Sequence, residues 1–256
     1  MSLLEIDNVT VKFGGVVAVK DFSMDVEKGI IHSLIGPNGA GKTTLFNVIT
    51  RVVRETKGTV HFDGIDLKNL KPHQVINSGI TRTFQNLEIF KLMTVGENLL
   101  IGHHRELGYP FTSELVNGKK VKEQERTTWE RALEVAEMLN IKNRLNTMAG
   151  MLPYGLQKMV EIGRALMSEP SLLMLDEPAA GLNPSEAKRL KELIKKFASE
   201  FGITVFLVEH DMSVVMDISD RITVMNFGVK IAEGEPESIR KNDEVIKAYL
   251  GESKYA

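Results

Sequence analysis

The stretch Gly36-Pro37-Asn38-Gly39-Ala40-Gly41-Lys42-Thr43-Thr44 limits what this chain can fold into more than any other. It has the form G-x-x-x-x-G-K-T, a phosphate-binding loop. Its flanks fit that reading. The apolar run Ile30-Ile31-His32-Ser33-Leu34-Ile35 reads as a buried strand leading in, and Leu45-Phe46-Asn47-Val48-Ile49 as a helix leading out. Glycines let the backbone curl so that successive N–H groups face one anion. The helix N-terminus adds its dipole. In that setting Lys42 is expected to bind β- and γ-phosphates, and the Thr43 hydroxyl to ligate Mg²⁺.

The 256 residues suffice for one large domain, or for a domain with a sizeable insertion. A hydrophobic share of 43% and a charged share of 26% are ordinary for a soluble globular protein. The net charge of -2 leaves no basic excess, so nucleic acid is not an expected partner. The chain has no cysteine, which excludes disulfides, thiol catalysis and zinc–thiolate sites. Acid follows the start too early for a signal peptide, in Met1-Ser2-Leu3-Leu4-Glu5-Ile6-Asp7. No apolar run approaches the about 20 residues that cross a bilayer. A cytoplasmic chain is expected, with any membrane role supplied by a partner.

Leu4, Ile6, Val9, Val11 and Phe13 alternate as in a half-buried strand. Gly14-Gly15 breaks it, and strand character resumes from Val16 to Val26. Thr59 to Gly64 reads as a further strand and turn. These segments predict a small antiparallel sheet. Residues 89–150 are richer in charge and helix formers and predict a helical insertion. Within it 131–139 has helical spacing, while 102–128 is polar and is expected to loop over the surface. The α/β rhythm then returns. Ser171–Leu175 and Ile203–Val208 read as buried strands. Asn183-Pro184-Ser185-Glu186 reads as a helix start, with Leu190, Leu193, Ile194 and Phe197 on its core face. Strands alternating with helices argue for a largely parallel sheet. The expected division is a nucleotide-binding α/β core at 1–88 and 160–235, a helical part at 89–159 and a helical tail at 236–256.

A phosphate loop alone fits kinases, GTPases, helicases and transport ATPases. Later residues choose among them. Leu172–Asp176 is a strand ending in the carboxylates of Asp176 and Glu177. Asp176 can hold Mg²⁺ through its water shell, and Glu177 can deprotonate an attacking water. His210 lies 33 residues beyond Glu177, room for one helix and one strand, and can hold that water in line. Gln85 sits where the core hands over to the insertion, and its amide can ligate Mg²⁺ and sense nucleotide. Leu152-Pro153-Tyr154-Gly155-Leu156-Gln157-Lys158 precedes an amphipathic helix carrying Met159, Val160, Gly163 and Leu166.

The order of phosphate loop, glutamine, short glycine motif, Asp-Glu and His resembles an ATP-binding-cassette ATPase over essentially the whole chain. That resemblance implies a P-loop NTPase, RecA-like α/β core with the small β-sheet and helical subdomain. It implies two ATP molecules sandwiched between two cassettes, with Pro153, Tyr154 and Gly155 in the signature that caps the partner's γ-phosphate. It makes Phe13 the ring that stacks on adenine, unless Phe13 packs into the core at its strand end. It makes Ala180–Asn183 a loop across the dimer interface, although Asn183 serves equally as a helix cap. Phe13-Gly14-Gly15, Arg82-Thr83-Phe84-Gln85, Met93–Leu99, Asp176–Pro184 and the ending Ala248–Glu252 are similar to the ATPase subunits of branched-chain amino acid importers. Such subunits pair with a second cassette beneath two permeases fed by a solute-binding protein. The alternatives are a related amide or urea importer, or a cassette ATPase that works outside transport. The same likeness places a coupling helix of the permease near Gln85, Leu87, Ile89 and Phe90.

The signature departs from the family pattern. Pro153 stands where serine is usual, and Leu156 where glutamine is usual. Proline supplies neither a hydroxyl nor an N–H. A lost charge-assisted hydrogen bond costs about 1.5–3 kcal/mol. The expectation is a weak ATP site under this chain's signature, and an active one at its own phosphate loop.

Overall fold

The computed structural model describes residues 2–103 and 118–250. Two sheets organise them. The first joins β1 (Ser2–Phe13), β2 (Val16–Glu27), β4 (Lys57–Phe62) and β5 (Ile65–Asp66) in the order β2-β1-β4-β5, every pairing antiparallel. The second joins β3 (Ile31–Ile35), β6 (Ile80–Arg82), β7 (Leu172–Asp176), β8 (Thr204–Val208), β9 (Arg221–Asn226) and β10 (Val229–Gly234) in the order β10-β9-β3-β8-β7-β6. Its strands run parallel, except that β10 is a hairpin partner of β9.

Every residue of β3, β7 and β8 is buried, as expected where helices cover both faces of a parallel sheet. Successive side chains go to opposite faces. Leu172, Met174, Phe206 and Val208 enter the core between the two sheets, together with Leu45 and Phe46 of α1 (Lys42–Ile49). Leu173, Leu175, Val205 and Leu207 enter the other core. That core is filled by α3 (Val95–Gly102), α4 (Gly118–Met138), α5 (Tyr154–Leu166), α6 (Pro184–Ser199) and α7 (Met212–Ile218). A short α2 (Pro72–Val75) lies on the first core. The final helices α8 (Pro236–Arg240) and α9 (Asp243–Leu250) pack Ile239 and Val245 against Ile222 and Val224 of β9. Helix α5 runs unbroken through residue 159, so the helical part shares one hydrophobic cluster with the parallel sheet.

The expected surface loop over 102–128 is corrected in part. Helix α4 begins at Gly118, and Thr128 is already buried. Its first half is mostly Lys, Glu, Gln and Arg, good helix formers, with Val121 too isolated to make an apolar stripe. Hydrophobic periodicity starts only where the Trp129 ring lies over Gly96 and Ala132 enters the core. Residues 104–117 of that expectation lie outside the described residues. Among the described residues no helix is long and apolar enough to cross a membrane.

Candidate functional site

The phosphate loop fills the bend between β3 and α1. Lys42 opens α1 and is only 6% exposed. Its Nζ donates to the carbonyls of Gly36 (2.6 Å) and Pro37 (2.8 Å), which draws the ammonium back over the loop. Gly36 has φ 154°, and a Cβ there would lie 1.9 Å from the Met225 carbonyl oxygen. Only glycine therefore lets β9 pass this close. Gly41 caps α1 with no side-chain hydrogen bond, so the first N–H groups of the helix face the loop. Gly39, Ala40 and Asn38 complete the curl, Ala40 donating to Pro37 (3.2 Å). Thr44 is half-buried and Thr43 exposed.

Continuing the alternation of β7, Asp176 turns toward α1. There the Arg82 guanidinium, at the end of β6, donates to Asp176 Oδ2 from Nη2 (2.6 Å) and to Asn47 Oδ1 from Nη1 (2.6 Å). Thr43, Gln85 and Asp176 line one groove of about 600 Å³ with Phe84 and Phe90. Hydroxyl, amide and carboxylate oxygens are the hard donors that Mg²⁺ accepts beside phosphates. Among the described residues no cluster of three or more His, Cys, Asp or Glu could hold a metal alone. The fit is therefore to a metal that arrives with a phosphate ligand, for which one or two carboxylates suffice.

Glu177 breaks the strand. Its φ is 49°, an uncommon conformation for a residue with a Cβ and one that gathers at reacting sites. The bend is held by its N–H, which donates to Val208 O (2.8 Å). Its carboxylate then meets two of the expected residues. Gln85 Nε2 donates to Oε2 (3.1 Å), and His210 Nε2 lies 2.5 Å from Oε1. The glutamate side chain is 16% exposed and the histidine 42%, so water reaches both. Glutamine, glutamate and histidine from three strand ends thus form one cluster beside the phosphate loop.

Two contributors are not named by the motifs. Arg82 was visible as a residue type before Thr83-Phe84-Gln85, but its partner lies 94 residues away. Glu209 is 3% exposed and accepts from the N–H groups of Ala179 (2.8 Å) and His210 (3.1 Å). Burial pushes its carboxyl above the ordinary glutamate value, against the hydrogen bonds that pull it down. It staples the chain after β7 to the chain after β8. An acid ending a buried strand was the only signal for it.

Pro153 is the N-cap of α5, without a side-chain cap. Tyr154 is exposed, its ring over Gly181. Gly155 is buried, and a Cβ there would lie 2.5 Å from the Glu186 carboxylate. Asn183 caps α6, accepting from Ser185 and Glu186 N–H (3.0 Å each). Farther along α5, Lys158 and Glu161 form an ion pair (3.2 Å) with both side chains almost wholly buried. Glu161 also accepts from the Glu88 N–H (3.3 Å), which ties the helix behind Gly155 to the segment after Gln85. Phe13 is 50% exposed, so it does not pack into the core. It ends β1 one turn before β2, which passes the phosphate loop with Ala18 O close against Gly41. Phe90 is exposed in the groove, whereas Ile89 packs on the core and Leu87 is half-buried.

Residues 19–180 match the model of the ABC transporter family. The chain belongs to that family. The stretch 229–255 also matches a model described as branched-chain amino acid ATP-binding cassette transporter. The chain is 47% identical, over 98% of its length and 98% of the relative's, to the high-affinity branched-chain amino acid transport ATP-binding protein BraF of Pseudomonas aeruginosa. Among solved structures it is similar to an ATP-binding cassette of an ABC transporter in its ADP conformation, with TM-score 0.86, 36% identity and coverage of 98% and 99% of the two chains. It also resembles a dimeric cassette in a post-hydrolysis state bound to ADP and Pi, with TM-score 0.74, 27% identity and coverage of 91% and 98%. The family and the α/β P-loop NTPase fold expected from the sequence are those found.

Proposed function

We propose that this ABC transporter cassette hydrolyses ATP to drive import of branched-chain amino acids through partner permeases. The observation that carries the chemistry is the Gln85–Glu177–His210 cluster beside the phosphate loop. Substrate class rests on the similarity to BraF and on the C-terminal match.

In this reading the loop N–H groups and Lys42 hold the β- and γ-phosphates, and the exposed Phe13 stacks on the adenine. Thr43, Gln85 and, through its water shell, Asp176 would hold Mg²⁺, which would neutralise phosphate charge when bound. Glu177 takes the proton of the attacking water. Gln85 and His210 grip one carboxylate oxygen each and fix its direction. His210 then stabilises charge on the transferring phosphoryl group. A second cassette places its signature over this site, and the present Pro153–Gly155 segment covers the partner's. The cassette sits against the inner face of the membrane, held by two permeases that receive solute from an extracytoplasmic binding protein. The groove near Gln85, Ile89 and Phe90 receives the permease.

Cells lacking this chain are expected to lose uptake of radiolabelled leucine, isoleucine and valine, and the wild-type chain, but not Glu177→Gln, to restore it. Unaltered uptake of all three would overturn the substrate assignment. A phosphorylated small-molecule product in place of released phosphate would overturn the hydrolase.

A further inference from the structure

The contacts of Arg82 join Asp176, helix α1 and the groove. The parallel pairing of β6 with β7 sets Arg82 opposite Met174, two residues before Asp176. From there the guanidinium forks. One nitrogen takes Asp176 Oδ2 and the other takes Asn47 of α1, each at 2.6 Å. Its carbon lies 5.3 Å from the Phe46 ring centroid and 5.5 Å from that of Phe84. The side chains of Arg82 and Asp176 are 8% and 3% exposed. Guanidinium keeps its charge at every pH at which a protein stays folded. A carboxylate this buried needs a counter-charge, and Arg82 supplies it.

Asp176 is also the carboxylate assigned above to the metal that arrives with the nucleotide. Two cations then address one carboxylate. We propose that Arg82 is the resident cation of Asp176, and that a nucleotide-bound divalent cation competes with its guanidinium for that carboxylate. Arg82 thereby sets how strongly the metal tightens nucleotide binding. It acts through Asp176 and is a positioning residue, not a catalytic one. Phe84, stacked on the guanidinium and 51% exposed in the groove, makes the competition sensitive to whatever fills the groove.

The inference rests on the metal role of Asp176, and the test separates the two. Binding of ADP is titrated calorimetrically in Mg²⁺ and in EDTA, for the wild type, Arg82→Gln, Arg82→Lys and Asp176→Asn. The quantity read is the ratio of the two affinities. Asp176→Asn is expected to lower that ratio; an unchanged ratio sinks the metal role of Asp176 itself. Arg82→Gln is expected to raise it about tenfold, the scale on which outer-shell partners tune metal affinity, with affinity in EDTA little changed. A ratio that is unchanged or falls in Arg82→Gln, while Asp176→Asn behaves as expected, overturns the competition. If Arg82→Gln does not fold, Arg82→Lys decides. It keeps the charge but cannot span Asn47 and Asp176 together, so the ratio is expected to rise by a smaller factor. No rise overturns the proposal.

Discussion

At the scale of single residues, neighbouring side chains in sequence take different tasks because the backbone turns between them. Asp176 continues the alternation of β7 and faces Arg82, whereas Glu177 adopts φ 49° and faces Gln85 and His210. Glu177→Gln keeps the shape but cannot accept the water's proton. Phosphate release is expected to fall by about 10²–10⁴-fold, the usual worth of a general base, while ATP stays bound. Wild-type turnover in steady-state assays would remove Glu177 as the base. A second residue effect concerns stability. His32 lies wholly buried on β3, with Nε2 against Thr223 Oγ1 (2.8 Å) and no hydrogen-bond partner for Nδ1. Burial lowers its pKa from 6.5 to about 4, with Arg221 and Lys230 adding to the effect and Glu233 opposing it. The folded state therefore keeps His32 neutral while the unfolded chain takes up a proton. Its contribution is complete above pH 6.5 and is lost as the pH falls toward 4. Between pH 7.5 and 5 the wild type is expected to lose about 2 kcal/mol that a His32→Leu variant does not lose. Equal losses in urea unfolding at the two pH values would refute this.

At the scale of elements, α1 and α5 are the two helices whose N-termini the proposed function sets against phosphate, and they differ in what precedes them. Helix α1 follows a glycine loop that was legible in full, since the spacing of Gly36, Gly41 and Lys42 carries the function locally. Helix α5 follows Pro153, which leaves the cap without a donor, and the Glu186 carboxylate of α6 lies against Gly155. The first of these was readable from the sequence. The second was not, because Gly155 and Glu186 come together only when α5 and α6 pack. Pro153→Ser restores a hydroxyl and an N–H. In the assembled pair of cassettes it is expected to raise turnover, by up to about tenfold if the missing bond is worth the lower end of 1.5–3 kcal/mol. Unchanged turnover in proteoliposomes would mean that Pro153 is tolerated.

At the scale of the whole molecule, one hydrophobic cluster runs from Val95 and Val135 through Val160 and Leu173 to Val214. Packed side chains and the Lys158–Glu161–Glu88 link connect the segment after Gln85 to α5. The exposed Tyr154 and Met151 stand on the face that a second cassette would cover. In light scattering, Glu177→Gln protein is expected to dimerise on adding ATP if two copies can cap each other. A monomer with ATP bound would assign the second place to a different cassette.

Sequence alone determined the parts in which chemistry is local or periodic. The phosphate loop needs its glycines and lysine within one turn of chain, and the buried strands show themselves as unbroken apolar runs. The order of phosphate loop, Gln85, the Pro153–Gly155 motif, Asp176–Glu177 and His210 along the chain carried the resemblance to the family. Charge without periodicity concealed the first half of α4, whose sequence carries no apolar stripe. Tertiary structure alone decided the partners of Asp176 and Glu209. Arg82 reaches Asp176 across 94 residues because β6 and β7 pair in parallel, and Glu209 reaches Ala179 because β7 and β8 end side by side. Partners brought together by strand pairing have no spacing to read along the chain; the register of the sheet makes them neighbours.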